Sequence, residues 1–533
     1  MPDTKTFDIL IIGGGITGAA VARDAAMRGF SVVLIEKGDF CSGASSRSTK
    51  ILHGGLRYLE QLNFNLVLET LKEREIIKNI APCQIKRVPF LLPIYKNDRF
   101  GTFKISMGMK LYNWLSPKNK SELYTMLKPE TAVKREPHIL QEGLSGALLY
   151  NEYILISPER YILSMIRCAS RHGSKVRNYM QVKNFLWNGN KAAGIEAVDT
   201  LNGTKLSVFA KVIINAAGPW VDDVLRMVNP NAGRKLVKTK GIHFLIPKIS
   251  GHAVLYAARK DGKLIFGIPW LDYTIIGSTD TVYKGDLDEV YANKDEVEGL
   301  LTEFKQVFDH PLIDWHKIVF TYAGIRPLAF EGSESNFRES IKHVIFEGDE
   351  EGGIISTVGG KLTTARLMAE QIVNMASERL GKKTDCLTAE LPLPGGGIPE
   401  QMSGEDYCAT ILQKYSVSKG ISGKTIEYLV HSYGTDYKNV LDLAEKVPEG
   451  KEALCSHSPG ICAQVHYAVQ YEGAKTLLDI LFRRTEIGIG PALQPAECKK
   501  IVDIMALYLN WDKDQKKKEI DSYFIDREKQ EQF

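Results

Sequence analysis

Phe7 to Glu36 reads FDILIIGGGITGAAVARDAAMRGFSVVLIE. The isoleucine-rich run Phe7 to Ile12 has the unbroken apolar character of a strand buried on both faces, and it stops at glycine. Gly13, Gly15 and Gly18 then supply G-x-G-x-x-G. The first permits a tight turn, the second lets backbone approach a pyrophosphate, and the third lets the following helix lie against the strand. That helix, roughly Ile16 to Arg28 with alanines on one face, ends at Gly29, and Ser31 to Ile35 returns as a second parallel strand closing on Glu36. A carboxylate about twenty residues beyond the glycines can accept hydrogen bonds from both ribose hydroxyls of an adenosine, while the helix N-terminus favours phosphate charge. Strand, turn, helix, strand and acid in this order predict a dinucleotide-binding crossover.

Working outward, KGDFCSGASSRSTKILHGGLRYLE from Lys37 to Glu60 is dense in Gly, Ser and basic residues. Small residues let backbone pack on a flat cofactor, and Ser45, Ser46, Arg47 and Ser48 offer donors to phosphate or ring oxygens. His53, Arg57 and Tyr58 follow where this loop should pass under the cofactor, and a helix is expected from near Tyr58. Residues 60 to 80 read as one amphipathic helix, and Pro82 to Pro93 begins a strand-rich unit. Arg99 to Lys120 mixes Phe, Met, Trp and Tyr with Lys104, Lys110, Lys118 and Lys120, a pattern that suits an interfacial anchor and equally an ordinary half-buried helix. Ser157 to Arg171 carries a Ser cap, Pro at the first helical position and a basic last turn, so a well-delimited helix is expected.

Strand-like Val208 to Ile214 leads into INAAGPW, a second place where strand, small residues and helix start would meet the dinucleotide. Between residues 236 and 320 short alternating runs separated by turns predict an antiparallel sheet. YAGIRPL and VGGKLTTAR are expected to return the chain to the nucleotide unit. In the latter, Gly359, Gly360 and the amides of Leu362 and Thr363 would present a positive dipole end. LPLPGGGIPE, Leu391 to Glu400, is a Pro/Gly boundary; beyond it the pattern is helical to about Asn510, and a tail charged on both signs is expected to fray.

With 533 residues, two or three domains are expected, and 44% apolar with 25% charged residues is ordinary for a soluble globular chain. A formal charge of +4, without a basic block interleaved with stacking aromatics, gives no argument for nucleic acid. The eight cysteines are scattered without CxxC or metal-ligand spacing, so no zinc site, iron-sulfur cluster or redox dithiol is indicated. MPDTKTF leads directly into the first strand and leaves no room for a signal peptide, which points to a cytoplasmic location. No apolar run reaches the roughly eighteen residues that span a bilayer, so membrane contact would be peripheral.

The block SSRSTKILHGGLRYLEQLNFNLVLETLKERE resembles the FAD-dependent, aerobic, membrane-associated glycerol-3-phosphate dehydrogenases of the D-amino-acid-oxidase-like superfamily. The other motifs of that family follow in order: NAAGPWVDD from Asn215, KGIHFLIP from Lys240, FGIPW from Phe266, IIGSTD from Ile275, YAGIRPL from Tyr322, STVGGKLTTAR from Ser356 and VHYAVQYEGAKTLLDILFRRTEIGIG from Val465. The resemblance implies an α/β fold. Its Rossmann-type FAD-binding domain would comprise residues 1–80, 157–235 and 321–394, its antiparallel substrate (cap) domain residues 81–156 and 236–320, and its C-terminal all-helical domain residues 395–533. It implies FAD contacts from Gly13, Gly15, Thr17, Gly18, Glu36, Lys37, Ser45, Ser46, Arg47, Ser48, His53, Gly54 and Gly55. Ala217, Gly218, Trp220, Gly359, Gly360, Lys361, Leu362 and Thr363 complete that set, and covalent attachment through His53 is conceivable without being required.

The chemistry so implied is oxidation of glycerol 3-phosphate: hydride leaves C2 for flavin N5 while a base removes the hydroxyl proton and cations grip the phosphate. From the family pattern, Arg57, Tyr58, His243, Arg326 and Lys361 form the substrate pocket, with Arg57, Arg326 and Lys361 as its cations and His243 as the leading base. Arg326 could instead hold the C2 oxygen. Ile242 precedes His243 where the family often has a small polar residue. Only one dinucleotide fingerprint exists, which leaves a membrane quinone or dioxygen as electron acceptor. The insert associated with some glycerophosphate oxidases is not evident, which favours the dehydrogenase. A peripheral seat on the inner face of the cell membrane is implied, and a homodimer is compatible. Rival uses of such a scaffold are an amine or amino-acid oxidase, or a non-catalytic escort.

Overall fold

The structure, a computed structural model, describes residues 6–55, 63–98, 101–115, 124–257, 264–330, 343–347, 352–415 and 420–531. Arg57 and Tyr58, and the expected helix start there, lie outside the described residues.

Thr6–Ile12 sits at the centre of the first sheet, pairing in parallel with Lys205–Asn215 on one side and Val32–Ile35 on the other. Ile355–Val358 and Lys175–Arg177 extend it in parallel, and an antiparallel edge is added by Val344–Glu347. Successive side chains of the central strand point to opposite faces, so Ile9 and Ile11 enter one core and Leu10 and Ile12 another. On the first face lie the helices Ile16–Met27, Pro158–Arg171 and Ala365–Arg379. The alanines of Ile16–Met27 are what bring that helix close: Ala19, Ala22 and Ala25 are fully buried. On the second face lies the hairpin of Met180–Asn188 and Lys191–Asp199.

The second sheet has ten strands among the described residues, and its single parallel contact is between Ala253–Ala257 and Ile85–Tyr95. Its longest pairing runs from Leu236↔Ala329 to Leu245↔Phe320, which joins Leu236–Pro247 to Phe320–Ala329. YAGIRPL, expected in the nucleotide unit, therefore lies in the cap sheet; its alternation of small, branched and aromatic residues is satisfied by a long antiparallel neighbour. Phe244 and Ile246 face helix Lys294–Lys305, whereas Leu245 and Tyr322 share the opposite face with helices Phe64–Ile80 and Thr102–Leu115. His243 has the parity of Leu245, so the register directs it to that second face.

Beyond residue 400 the chain is helical, and the charged tail is not frayed: Lys513–Glu531 is a helix. Tyr523 is fully buried against the C-terminal core, Arg527 donates to the Val319 carbonyl at 2.7 Å, and the Gln530 carbonyl accepts from Thr321 at 2.6 Å. A few well-spaced anchors thus dock a segment whose composition alone predicts solvation. Toward the nucleotide unit, Arg160 pairs with both oxygens of Glu472 at 2.7 Å, and Arg483 and Arg484 reach Asp39. A π-helical turn over Ile480–Arg484 brings these consecutive arginines to one carboxylate.

Candidate active site

A cleft of about 620 Å³ is lined by residues of both sheets. From the first sheet come Gly13, Gly15, Thr17, Glu36, Lys37, Ala217, Gly218, Trp220, Gly359, Gly360, Lys361, Leu362 and Thr363, and from the loop after Glu36 come Ser45, Arg47, Ser48, Thr49 and His53. The cap sheet contributes His243 and Arg326. Gly18, Ser46, Gly54 and Gly55 are not in the lining. Gly18 serves the crossover, because a Cβ there would collide with the Gly13 carbonyl. Ser46 turns its hydroxyl to the Gly43 carbonyl at 3.2 Å, and the Gly54 N–H donates to the Glu152 carboxylate at 3.1 Å.

Several features test whether a dinucleotide fits. Gly13 has φ of 109° and abuts the Ala216 carbonyl, so the turn leaves no room for a side chain. The first helix begins at Ile16, whose N–H donates to Ser45 Oγ at 3.0 Å. Glu36 accepts from the N–H of Gly14 at 2.6 Å and of Gly38 at 2.9 Å, one bond to each oxygen. Each oxygen keeps a lone pair for a ribose hydroxyl. Thr363 Oγ1 is buried on the cleft without a partner among the described residues, as expected of a group that awaits a ligand. The helix behind it starts at Ala365, so Lys361 to Thr364 form the turn that precedes it. Lys37 lies 4.0 Å over the Trp220 ring and 2.6 Å from Asp288, bridging the cleft to the cap. These residues fit FAD.

His243 is 1% exposed. Its Nε2 is 2.9 Å from Thr49 Oγ1, its ring stacks on Tyr322 at 4.7 Å, and Nδ1 has no hydrogen-bond partner among the described residues. A Cβ on Gly277, its neighbour in register, would strike the imidazole, so glycine makes the space. Burial, then the positive charges of Arg326 and Lys50, lower the His243 pKa to about 3. The ring is therefore neutral at pH 7 and able to accept a proton. Ile242 is buried in the cap core and donates its N–H to Thr279 Oγ1 at 3.0 Å, so the departure before the histidine leaves the backbone satisfied.

Arg326 lies across Gly241, where any Cβ would collide with the guanidinium. Nη1 donates to the Thr279 carbonyl at 3.0 Å and to Asp280 at 3.1 Å, and Nη2 donates to Ser278 Oγ at 2.6 Å. Burial lowers its pKa and Asp280 opposes that change, which leaves a positioned cation at the cleft. His53 is likewise lowered to about 3, by burial and then by Lys361 and Arg74. The cleft thus gathers His243, Arg326, Lys361 and His53. Sequence reading missed Thr49, Lys50, Tyr322 and Asp280. A threonine beside a serine-rich loop and a tyrosine on a strand carry no local signal; only pairing register brings Tyr322 opposite His243.

The family model for FAD dependent oxidoreductases matches residues 8–366, and that for the C-terminal domain of alpha-glycerophosphate oxidase matches residues 386–516. The aerobic glycerol-3-phosphate dehydrogenase of Bacillus subtilis is 34% identical over 527 residues, covering 96% of this chain and 93% of that protein. The glycerol-3-phosphate dehydrogenase of Synechocystis is 33% identical over 539 residues, covering 97% and 95%. Among solved structures, glycerol-3-phosphate dehydrogenase from Bacillus halodurans complexed with FAD superposes with a TM-score of 0.81 at 29% identity, over 99% of this chain and 96% of that one. Matched along nearly its whole length, the chain belongs to the FAD dependent oxidoreductase family, with the C-terminal domain of alpha-glycerophosphate oxidase appended.

Proposed function

We propose that the protein oxidises sn-glycerol 3-phosphate to dihydroxyacetone phosphate at this cleft and passes the electrons to a membrane quinone. The observation that carries the reading is a buried imidazole, His243, beside the fixed cation Arg326 in the cleft that also holds the dinucleotide cradle. The names of the full-length relatives support the same substrate.

Gly13, Gly15, Glu36, Ser45, Gly359, Gly360 and Thr363 hold FAD, which when bound supplies the hydride acceptor. Arg326 and Lys361 bind and orient the phosphorylated alcohol, joined by Arg57 from outside the described residues. His243 takes the C2 hydroxyl proton, steadied by Thr49 at one edge and Tyr322 on its face.

Quinone and a peripheral seat on the inner membrane face are supported by helix Thr102–Leu115. Its Phe103, Met107, Leu111 and Trp114 form an exposed stripe, with Phe103 76% and Trp114 80% accessible and Lys104 and Lys110 exposed beside them. No helix among the described residues is long and apolar enough to cross a membrane. The test is anaerobic addition of sn-glycerol 3-phosphate to the holoprotein while flavin absorbance is followed. Bleaching is expected, and an unchanged spectrum overturns the substrate. Turnover with a soluble quinone analogue, without peroxide release, separates quinone from dioxygen.

A further inference from the structure

Lys50 lines the cleft next to Thr49, whose hydroxyl meets His243. Its ammonium is buried, 3.6 Å from Glu159 Oε2 and 4.8 Å from the centre of the Trp270 ring. Glu486 is buried within electrostatic reach of both Lys50 and Glu159. Lys50 with φ of 63° and Glu486 with φ of 58° both adopt the left-handed conformation, which residues bearing a Cβ hold only where their surroundings impose it. Lys50 Nζ, Glu159 Oε1 and Glu486 Oε1 all lack a hydrogen-bond partner among the described residues. Three such atoms on charged side chains gathered in one buried cluster beside the cleft make it a functional candidate, because buried charged groups are as a rule fully paired.

The other groups around the pair are committed. Arg160 is held by both oxygens of Glu472, and Ser157 donates to Glu159 Oε2 at 3.3 Å and also favours the charged form of Glu486. Tyr428 donates to the Thr485 carbonyl, Tyr322 donates to the Ser48 carbonyl at 3.0 Å, and burial pushes the Cys41 thiol up. Two carboxylates therefore share one ammonium in a buried site, and a proton relieves the excess negative charge. Burial, then Glu159, push the Glu486 carboxyl up to about 7. His243, lowered to about 3, can take a proton in transit but cannot keep it.

We propose that the carboxylates of Glu159 and Glu486, set against Lys50, are the store that receives the substrate's hydroxyl proton after it reaches His243. The idea rests on the reading of the cleft as a site of alcohol oxidation. The O–H bond at C2 breaks as the imidazole gains the proton. The imidazolium then returns a proton from Nε2 to Thr49 Oγ1 while the hydroxyl's own proton passes to a solvent water. That water gives up one of its protons to Glu486, which ends as a carboxylic acid with the water regenerated. No electrons travel this route; the pair leaves with the hydride. Lys50 offsets the charge that remains on the other carboxylate.

The test uses the FAD-loaded protein, rapid anaerobic mixing with sn-glycerol 3-phosphate and Glu486→Gln beside Glu159→Gln. In the wild type the flavin reduction rate is expected to rise through about pH 7, as the store empties and can accept. Glu486→Gln should lose that inflection and reduce roughly tenfold more slowly at about pH 8, with substrate affinity unchanged. Glu159→Gln removes the repelling carboxylate, so its inflection should move to lower pH, a shift that a structural defect does not produce. An independent readout is melting temperature. An acid whose folded pKa is raised makes stability fall as pH rises from about 4.5 to about 7. The Tm of Glu486→Gln minus that of wild type should therefore grow between about pH 5 and about pH 8. A pH-independent Tm difference, or an unchanged reduction inflection in Glu486→Gln, overturns the proton store alone. Failure of the wild type to bleach overturns the substrate reading and the store with it.

Discussion

Arg484 closes on Asp39 across 445 residues of sequence, with Nη1 2.7 Å from Oδ2 and Nη2 2.9 Å from Oδ1. Arg483 Nε adds a third bond at 2.6 Å and Asn178 a fourth at 2.9 Å. Burial alone would raise the Asp39 pKa, but the two guanidiniums hold the carboxyl well below the usual range. Asp39 stands three residues beyond Glu36, at the start of the loop that carries Ser45 and Thr49 into the cleft. The helical C-terminal unit thus fixes the cofactor loop from behind.

Asp39→Asn should expose that coupling. Arg484 would lose its paired carboxylate and Arg483 would keep only Asp479, at 2.6 Å, a loss on the order of 3–5 kcal/mol. Thermal denaturation of the holoprotein should show the drop, and flavin fluorescence in an ultrafiltrate should show weaker FAD retention. A variant that keeps both its Tm and its flavin would mean the C-terminal unit is dispensable for the loop.

Arg326→Ala should weaken substrate binding by roughly a hundredfold, the scale of losing a charge-assisted forked contact in a desolvated site. Titrating flavin bleaching against sn-glycerol 3-phosphate measures it. Arg326→Lys should recover only part, since a point charge cannot satisfy Ser278, Thr279 and Asp280 while also gripping an anion. Unchanged affinity and reduction rate in Arg326→Ala would remove this residue from the pocket.

What the sequence exposes and what it hides follow from the range of each interaction. Gly13, Gly15, Gly18 and Glu36 are legible because a turn, a close helix and a ribose acceptor act within one crossover. Tyr322 is not, because its contact with His243 exists only once strands 79 residues apart are in register. The same limit misassigned Tyr322 to Leu328: a strand beside a glycine looks alike in either sheet until its partner is known. The C-terminal helix shows the converse failure. Its composition is charged throughout, yet Tyr523, Arg527 and Gln530 suffice to dock it. His243 and Arg326 were found through family motifs rather than local pattern, and their geometry supplies the reason they sit together.

His243→Asn should lower the flavin reduction rate by about 10²–10⁴ while sparing substrate affinity, the usual range for removing a general base. The same residue carries a stability signature. Its folded pKa is lowered from 6.5 to about 3, so the unfolded chain takes up a proton as pH falls through 6.5 and the folded protein does not. Stability present above pH 6.5 is then lost progressively toward pH 3, by about 2 kcal/mol at pH 5. The variant should lose less between pH 7 and pH 5 than the wild type, as read from Tm; equal losses would mean His243 is not held neutral.

Helix Thr102–Leu115 gives the last expectation. Met109 and Tyr112 bury one side of it against Leu66, Val67 and Leu71, which leaves Phe103, Met107, Leu111 and Trp114 directed outward. Partitioning a Phe or Trp side chain from water is worth about 2 kcal/mol each, and lysines near an anionic surface add about 1 kcal/mol each. Phe103→Glu and Trp114→Glu should therefore each reduce co-sedimentation with anionic phospholipid vesicles tenfold or more. Dye-coupled oxidation of sn-glycerol 3-phosphate in solution should be unaffected, because neither residue lines the cleft. If the apolar stripe carries the attachment, high salt should weaken wild-type binding without abolishing it, whereas attachment through lysines alone would vanish with screening. Vesicle binding that survives both substitutions would place the membrane contact on another face and leave this stripe without that role.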